Sequence, residues 1–275
     1  MPAKIRRLTA QGLVNVDFSA DSLQEATKHE PLHGVYTVSN TYARTKTLLL
    51  DEHLDRLEYS AQSKGIPFKC DRTLLKSALR RMIVESEFGD ARFRISVPAD
   101  APSEMILSIE PFQPPSPALI AKGARGITSS VARHNPASKS SEWMHRRQAV
   151  ASTQPAGIYE TFLLEENGAL LEGASSNVYA ILDGELLTAS SGMLEGISRM
   201  IVLKVCREII PLRATAPNIS DIDHFSEAFL SSSSRGIIPV IEIDETPIGD
   251  GRVGPTTLAL RKAYQDWVAD HLEEL

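Results

Sequence analysis

The stretch Leu170-Leu171-Glu172-Gly173-Ala174-Ser175-Ser176-Asn177-Val178-Tyr179 lies in the second half of the chain. It places one acid, two serines and an asparagine between two apolar runs that are typical of strands. A carboxylate in such an apolar context requires a partner, because an isolated buried charge is costly. Glu172 is therefore either satisfied by local N–H groups or paired with a cationic group of a ligand.

Two polar segments downstream of this stretch could bind an anion. The turn Leu194-Glu195-Gly196-Ile197-Ser198-Arg199 opens an apolar helical pattern. Unpaired N–H groups at a helix start favour a phosphate, although Ser198 could instead serve only as the N-cap. The tract Ser231–Ser234 offers hydroxyl and N–H groups between two β-type segments, whereas most serine tracts are flexible loops.

Two cations lie upstream of the stretch. Lys139 is the only lysine inside a turn rich in small hydroxyl residues. Most lysines are solvated, and a Schiff-base role would require a depressed pKa. Arg56 lies in a predicted helix over residues 52–61, for which Asp51 is the expected N-cap, and its spacing indicates one shared face with His53 and Ser60. Arg56 is either a surface residue beside an apolar stripe or a permanent cation for a phosphate.

Composition excludes several classes of protein. The 275 residues are 42% hydrophobic and 23% charged with a net charge of -6, which favours a soluble globular protein and argues against nucleic-acid binding. Cys70 and Cys206 form no CxxC motif, so a disulfide framework or a metal cluster is not expected. No run reaches the length of a membrane span, and no apolar segment of a secretory signal follows the basic start, which predicts a cytoplasmic protein without a membrane partner.

The order of the predicted elements indicates an α+β fold. Strands cluster with interspersed helices rather than in a regular βαβ alternation. Alternation of Arg with Phe and Ile over residues 91–97 predicts a strand with one wet face. The proline-rich run of residues 112–117 predicts a stiff, extended connector. We therefore expect a domain over residues 1–113, a linker over 114–122 and a second domain over 123–275. Further helices are predicted over residues 71–87, 142–151 and 256–272, and one that begins at Ser198.

Taken together and in order, these motifs resemble a known family. Glu172–Tyr179, Leu187-Thr188 and Leu194–Arg199 are similar to the signature of the class IV aminotransferases. These are the fold type IV pyridoxal phosphate enzymes, which include branched-chain aminotransferases, D-amino acid transaminases and aminodeoxychorismate lyases. The resemblance extends over most of the chain from about residue 34, through Gly34-Val35-Tyr36, His53–Leu57, Phe229–Val240 and Gly249–Pro255.

The resemblance implies pyridoxal 5'-phosphate as the cofactor and a two-domain architecture. A small N-terminal α/β domain would precede a larger, β-rich C-terminal domain with helices, usually in a homodimer. Lys139 would form the Schiff base and act as the catalytic acid and base, and Glu172 would bind the pyridine nitrogen. The other implied cofactor contacts are Arg56, Leu194, Ile197, Ser198 and Ser233, and the implied substrate contacts are Tyr36 and Ser234.

The implied activity is amino transfer between a small amino acid, of the D-amino acid or branched-chain type, and a 2-oxo acid. The tract Ser175–Val178 and the segment Pro239–Asp244 look closest to D-amino acid transaminases. A lyase that eliminates pyruvate is the alternative reaction, and a binding module without catalysis is the alternative function. The presence of both Lys139 and Glu172 argues against the binding module.

The chain departs from the family in three places. Pro31-Leu32-His33-Gly34 stands where the family commonly has an aromatic-Gly-Asp or aromatic-Glu-Gly run around the first strand. Trp143 and Met144 stand where many branched-chain enzymes have a tyrosine. The Arg-x-His trap of the D-amino acid enzymes for the substrate carboxylate is missing after residue 97. The possible substitutes for that trap are Arg44, Arg133, His134 and Arg235, each of which could instead be a surface residue.

Overall fold

The computed structural model of the protein describes residues 1–131, 136–152 and 154–275, which divide into two compact units. Unit 1 consists of Met1–Gln113, Ser138–Arg146 and His271–Leu275. Unit 2 consists of Pro114–Ala137 and Arg147–Asp270. No helix among the described residues is long and apolar enough to cross a membrane.

These units differ from the limits of 1–113, 114–122 and 123–275 expected from the sequence. The segment that carries Lys139 and the last five residues both belong to unit 1. Residues 112–116 of the predicted connector have no regular secondary structure, whereas the helix Pro117–Lys122 occupies most of the expected linker 114–122. Pro117 fits the first turn of a helix, and the Ser116 hydroxyl accepts the Leu119 N–H at 3.1 Å as an N-cap.

Unit 1 is an antiparallel sheet of seven strands in the order β16-β4-β3-β5-β6-β1-β2. The strands are β1 (Lys4–Thr9), β2 (Gly12–Asn15), β3 (Gly34–Tyr42), β4 (Lys46–Leu48), β5 (Ala91–Pro98), β6 (Met105–Pro111) and β16 (Leu272–Glu274). The helices are α1 (Leu23–Ala26), α2 (Leu50–Ser63) and α3 (Arg72–Ser86), with a 3-10 turn at Thr27–His29. Apolar side chains of α2 and α3, such as Leu54, Leu57 and Leu79, form one buried core with Phe93 and Leu107 of the sheet.

The start of α2 corrects one expectation from the sequence. The helix begins at Leu50, after Leu49 in a left-handed conformation with φ 47°, so Asp51 is inside the first turn and is not the N-cap. Its carboxylate instead accepts from Lys76 at 2.9 Å and from Arg72 at 3.3 Å, both on α3. These two bonds lower the pKa of Asp51 from its ordinary value. The predicted helix over 71–87 is confirmed as α3, with Asp71 as its N-cap.

A buried ion pair corrects the expectation that one face of β5 is wet. Arg94 on β5 is 3% exposed and lies 3.4 Å from the carboxylate of Glu30, which is also buried. Arg94 donates to the Leu23 carbonyl at 3.0 Å, and Ser96 donates to Glu30 at 2.6 Å. The α1 region therefore covers this face of the strand, which strand alternation alone does not reveal.

The described part of unit 2 is built on nine strands, eight of them in the order β12-β11-β10-β13-β14-β7-β8-β9, with β15 beside β14. Because β9 also pairs with β10, six of these strands close into a ring. The strands are β7 (Ala124–Ser129), β8 (Glu160–Leu164), β9 (Leu170–Gly173), β10 (Ser176–Leu182), β11 (Glu185–Leu187), β12 (Leu212–Arg213), β13 (Glu227–Ser232), β14 (Gly236–Ile243) and β15 (Thr246–Pro247). Phe162, Val178, Leu230, Ile238 and Val240 belong to the core of this sheet.

The described helices outside unit 1 are short apart from the last. They are α4 (Pro117–Lys122), α5 (Ser141–Ser152), α6 (Ile197–Val205) and α7 (Pro255–Asp270), with 3-10 turns at Cys206–Glu208 and Ile219–His224. Helix α5 is divided, because its residues up to Arg146 belong to unit 1 and the rest to unit 2. The final helix predicted over 256–272 ends at Asp270, because the chain then forms the edge strand β16. Sheets with interspersed helices in both units confirm the α+β prediction.

Candidate active site

The backbone of Lys139 is fixed on both sides within unit 1. Its N–H donates to the Ser60 hydroxyl at 3.1 Å, and its carbonyl accepts the Tyr36 N–H at 3.1 Å. The Ser60 hydroxyl also donates to the Arg56 carbonyl at 2.8 Å, which connects the lysine to α2. The Lys139 Nζ lies 4.8 Å from the centroid of the Tyr36 ring. The structure therefore brings together three of the predicted site residues, Tyr36, Arg56 and Lys139.

A buried histidine contacts the guanidinium of Arg56. His53, one turn earlier on α2, lies with its Nδ1 2.8 Å from the Thr37 hydroxyl and 3.4 Å from an Arg56 nitrogen. A guanidinium only donates, so the His53 Nδ1 accepts and its proton resides on Nε2. Burial, followed by the charges of Arg56 and Lys139, holds the pKa of His53 well below its ordinary value. The sequence spacing predicted the shared helix face, but it did not predict that His53 is buried and accepts hydrogen bonds beside Arg56.

The Tyr36 ring has a second cation beside it. The guanidinium of Arg94 lies 5.5 Å from the ring centroid, and Tyr36 is 1% exposed. An arginine beside an aromatic ring is attracted by the negative face of the π system. The Arg94–Glu30 ion pair thus lies behind a predicted substrate residue, a contact that sequence spacing does not indicate.

In unit 2, Glu172 and Asn177 hold the backbone of Leu194 between them. Glu172 on β9 is 2% exposed, and its Oε2 accepts the Leu194 N–H at 3.0 Å. Asn177 on β10 pairs with Glu172 across the hairpin and donates its Nδ2 to the Leu194 carbonyl at 2.8 Å. Glu172 is therefore buried as its apolar context predicted, and a local N–H group satisfies part of its hydrogen-bonding capacity.

The turn after Leu194 leads into α6. Gly196 is the N-cap of this helix, with φ -69° and no side-chain cap, and Ile197 and Ser198 are its first two residues. The alternative that Ser198 is the N-cap is therefore wrong. A Cβ at Gly196 would overlap the Asn177 Oδ1, so a glycine here allows the close approach of the Asn177 side chain. The start of α6 consequently presents backbone N–H groups beside a buried hydroxyl, which suits an anion.

The serine tract is only partly a loop. Ser231 and Ser232 belong to β13, and Ser233 and Ser234 are half-buried in the turn that follows. The completely buried Ser231 hydroxyl lies 3.3 Å from that of Ser198 and 3.0 Å from the Tyr179 hydroxyl. The sequence did not distinguish Ser231 from its neighbours, because a run of identical serines has no apolar–polar alternation that would show which side chains are buried.

The residues that were candidates for binding the substrate carboxylate have different surroundings. Arg44 donates to the Val84 carbonyl from an exposed turn, while Arg235 is bound to Glu160 within unit 2. Arg133 and His134 lie outside the described residues. Trp143 and Met144, which stand in place of a tyrosine, are both buried.

The residues present fit the chemical groups of pyridoxal phosphate. In unit 1 a lysine with a fixed backbone and an arginine can meet an aldehyde carbon and a phosphate. In unit 2 a buried carboxylate and an uncapped helix start can meet a pyridine nitrogen and a phosphate. Each predicted role has a residue of the required chemistry.

Comparison with known proteins is consistent with this chemistry. The family model described as "Amino-transferase class IV" matches residues 34–243. The chain belongs to the class IV aminotransferases. The resemblance read from the motifs is therefore confirmed, as are the expectations of an aminotransferase and of pyridoxal phosphate as its cofactor. The lyase alternative is not favoured.

Relatives of two kinds match most of this class IV aminotransferase. A D-alanine aminotransferase of Bacillus licheniformis is 28% identical over 248 residues, which cover 85% of this chain and 87% of the relative. The branched-chain-amino-acid aminotransferase of Escherichia coli is 26% identical over 234 residues, which cover 78% of this chain and 76% of the relative. A crystal structure of the "T.th." branched-chain amino acid aminotransferase with pyridoxamine 5'-phosphate has a TM-score of 0.83 at 23% identity and covers 98% of this chain and 97% of that one. The structural likeness establishes the fold.

Proposed function

We propose that this aminotransferase moves an amino group between a small amino acid, of the D-amino acid or branched-chain type, and a 2-oxo acid. The observation that carries the site assignment is the fixed backbone of Lys139, held by Ser60 and Tyr36, with its amine beside the Tyr36 ring. A catalytic lysine has to return to one position in each half-reaction, and a fixed backbone supports that return. Relatives of both substrate types, each matching most of the chain, support the two amino acid classes.

We assign the proton transfer to Lys139. When bound, pyridoxal phosphate supplies a ring that withdraws the electron pair left at the substrate α-carbon. The Lys139 Nζ would take the proton from the substrate α-carbon as a general base and later return it as a general acid. We assign Tyr36 and Ser234 as substrate contacts, as the family resemblance implies.

The remaining residues hold the cofactor in this proposal. Glu172 would accept a hydrogen bond from the protonated ring nitrogen, which a carboxylate stabilises. The residues that would bind the phosphate are Arg56, Ile197, Ser198 and Ser233, with charge from Arg56 and backbone N–H groups from the start of α6. Leu194 would pack on the ring, and the bonds from its backbone to Glu172 and Asn177 support that position.

The decisive experiment locates the lysine and reads the substrate on the same protein. We expect purified protein with added pyridoxal phosphate to show the absorption of a lysine-bound cofactor, and borohydride reduction followed by peptide mass spectrometry to place the cofactor on Lys139. Lys139→Ala should lose the band. The matched control Lys69→Ala, at an exposed lysine paired with Glu58, should keep it. A label on another lysine would overturn the assignment.

Substrate type is read from the same bound cofactor. D-alanine and L-leucine, L-isoleucine and L-valine are added separately, and conversion of the bound cofactor to its amine form is followed by absorbance. We expect conversion by at least one of these amino acids and regeneration of the original spectrum by a 2-oxo acid. Failure of every one of them would refute the proposed substrate class.

We further propose that the enzyme is a homodimer in the cytoplasm, as the family resemblance implies. Light scattering coupled to size-exclusion chromatography measures the mass directly. A monomer mass near 30.1 kDa at enzyme concentrations that are active would refute the dimer.

A further inference from the structure

A buried carboxylate in unit 2 accepts hydrogen bonds from two segments, the β9–β10 hairpin and the turn after β13. Glu160, the first residue of β8, is 4% exposed. Its Oε2 accepts from the Ser175 hydroxyl at 2.8 Å and the Ser176 hydroxyl at 2.9 Å, and it lies 3.4 Å from an Arg235 nitrogen. Its Oε1 accepts the Thr161 N–H at 3.2 Å. A carboxylate so deeply buried depends on such donors, because its charge is otherwise unfavourable.

Arg235 also connects the β9–β10 hairpin with the end of β13. It ends the turn that contains Ser233 and Ser234, and its Nε donates to the Ser232 hydroxyl at 2.7 Å. Its Nη2 donates to the Ser175 carbonyl at 2.8 Å and to the Ser175 hydroxyl at 2.9 Å. The guanidinium also lies 5.6 Å from the centroid of the Tyr159 ring. Contacts on several sides define one orientation for this planar group.

The two segments carry residues with assigned cofactor roles. Ser175 lies in the turn of the hairpin whose strands present Glu172 and Asn177, and Ser176 is the first residue of its second strand, β10. The hairpin is closely packed here, because a Cβ at Gly173 would overlap the Ser176 hydroxyl. The turn after β13 presents Ser233, the assigned phosphate ligand. Glu160 and Arg235 therefore connect the ring-nitrogen side of the site with its phosphate side through one ion pair.

We propose that Arg235 is a positioning residue, which with Glu160 fixes the Ser233–Ser234 turn against the Glu172 hairpin and so sets the affinity for the phosphate of the cofactor. This inference rests on the proposed function, since it takes Ser233 as a phosphate ligand. It also assigns Arg235 a role other than binding the substrate carboxylate. The charge of Arg235 is already matched by Glu160, and two of its nitrogens are bound within the protein.

The test compares Arg235→Gln, Glu160→Gln, the double variant and Arg235→Lys. Titration of the cofactor-free proteins with pyridoxal phosphate, followed by absorbance, gives Kd. We expect each Gln variant to weaken binding by about tenfold or more, the scale of one charge-assisted hydrogen bond. The double variant should be little weaker than either single variant, because both break the same ion pair. Arg235→Lys should be intermediate, since it retains the charge but not the fork of donors.

Two further readouts separate positioning from other roles. Titration with pyridoxal, which lacks the phosphate, should show a smaller loss of affinity than titration with pyridoxal phosphate, whereas a general loss of structure would weaken both equally. The KM values for the amino acid and the 2-oxo acid, at saturating cofactor, should stay near those of the wild type. Arg125→Gln, which breaks the exposed Arg125–Glu242 pair in the same sheet, is the matched control and should leave Kd unchanged.

Several outcomes would overturn the proposal. A higher KM for the amino acid with an unchanged Kd for pyridoxal phosphate would make Arg235 a substrate ligand. Additive effects of the two Gln substitutions, or equal losses for pyridoxal and pyridoxal phosphate, would also contradict it. A wild-type protein that binds no pyridoxal phosphate would refute this inference and the proposed function together. Normal binding by wild type and by Arg235→Gln alike would refute this inference alone.

Discussion

Replacing Asn177 with alanine removes the hydrogen bond that its Nδ2 donates to the Leu194 carbonyl at 2.8 Å. Asn177 is 5% exposed and Leu194 is half-buried, so the carbonyl loses its donor in a partly protected place. Leaving one buried polar group unsatisfied costs about 1–3 kcal/mol of unfolding free energy. Gly196→Ala should cost more, about 2–4 kcal/mol, because the new Cβ has to displace the Asn177 amide and breaks the same bond.

The double variant distinguishes this account from two independent defects. Once Asn177 is alanine, the nearest remaining neighbour of a Cβ at position 196 is the Arg199 Cβ at 3.7 Å, an ordinary contact. The φ of -69° at Gly196 is accessible to alanine, so only an N-cap preference of about 1 kcal/mol remains. We therefore expect the double variant to be about 1–3 kcal/mol more stable than the sum of the two single losses predicts.

Urea denaturation of the cofactor-free protein measures these differences. The chain contains two tryptophans, Trp143 and Trp267, and only Trp267 belongs to unit 2. In a Trp143→Phe background, tryptophan fluorescence reports the unfolding of unit 2. The control pairs Gly196→Ala with Asn218→Ala, because the Asn218 Nδ2 also donates to a main-chain carbonyl, at 2.9 Å, but elsewhere in the unit. Additivity within about 0.5 kcal/mol for Asn177 and Gly196 would refute the reasoning.

Two predictions concern unit 1. The pKa of His53 lies well below its ordinary value, chiefly because of burial, so below about pH 6.5 the unfolded chain takes up a proton that the folded chain does not. His53 should therefore lower the free energy of unfolding by up to about 1.4 kcal/mol for each unit by which the pH is lowered. In urea titrations from about pH 7 to about pH 5, His53→Gln should lose this dependence on pH. Equal slopes for the variant and the wild type would contradict it. Ser60→Ala removes the hydroxyl that accepts the Lys139 N–H, so borohydride labelling of Lys139 by pyridoxal phosphate should slow. Ser63→Ala, whose hydroxyl donates only to the Ser60 carbonyl among the described contacts, should label at the wild-type rate, and equal rates for both variants would exclude the role of Ser60.

Features set by short-range chemistry were predictable from the sequence. The apolar spacing over residues 71–87 predicted α3, and the apolar context of Glu172 predicted a buried acid. The limits of the prediction came from partners distant in sequence. Asp51 looks like an N-cap, but it binds Lys76, 25 residues later. Arg94 looks solvated, but Glu30 lies beside it.

Site chemistry was predictable to a similar extent. Residue types and order were enough to assign cofactor roles to the lysine, the acid and the helix start, because each motif is local, and these roles stay predictions. Contacts between distant segments could not be predicted, since Lys139 beside Ser60 and Ser231 beside Ser198 depend on how strands and helices pack. The Glu160–Arg235 pair joins residues 75 positions apart, which no local pattern indicates.

The bonds that fix Lys139 have a consequence for the order in which the protein folds. The lysine N–H and its acceptor on Ser60 are 79 residues apart, and the segment that carries the lysine joins unit 1 while the residues on both sides of it belong to unit 2. Closing so long a loop is entropically unfavourable, and contacts at large sequence separation generally form late. We therefore expect a refolding chain to recover its helices and hairpins before the lysine is in place, so cofactor capture should be among the last events of folding.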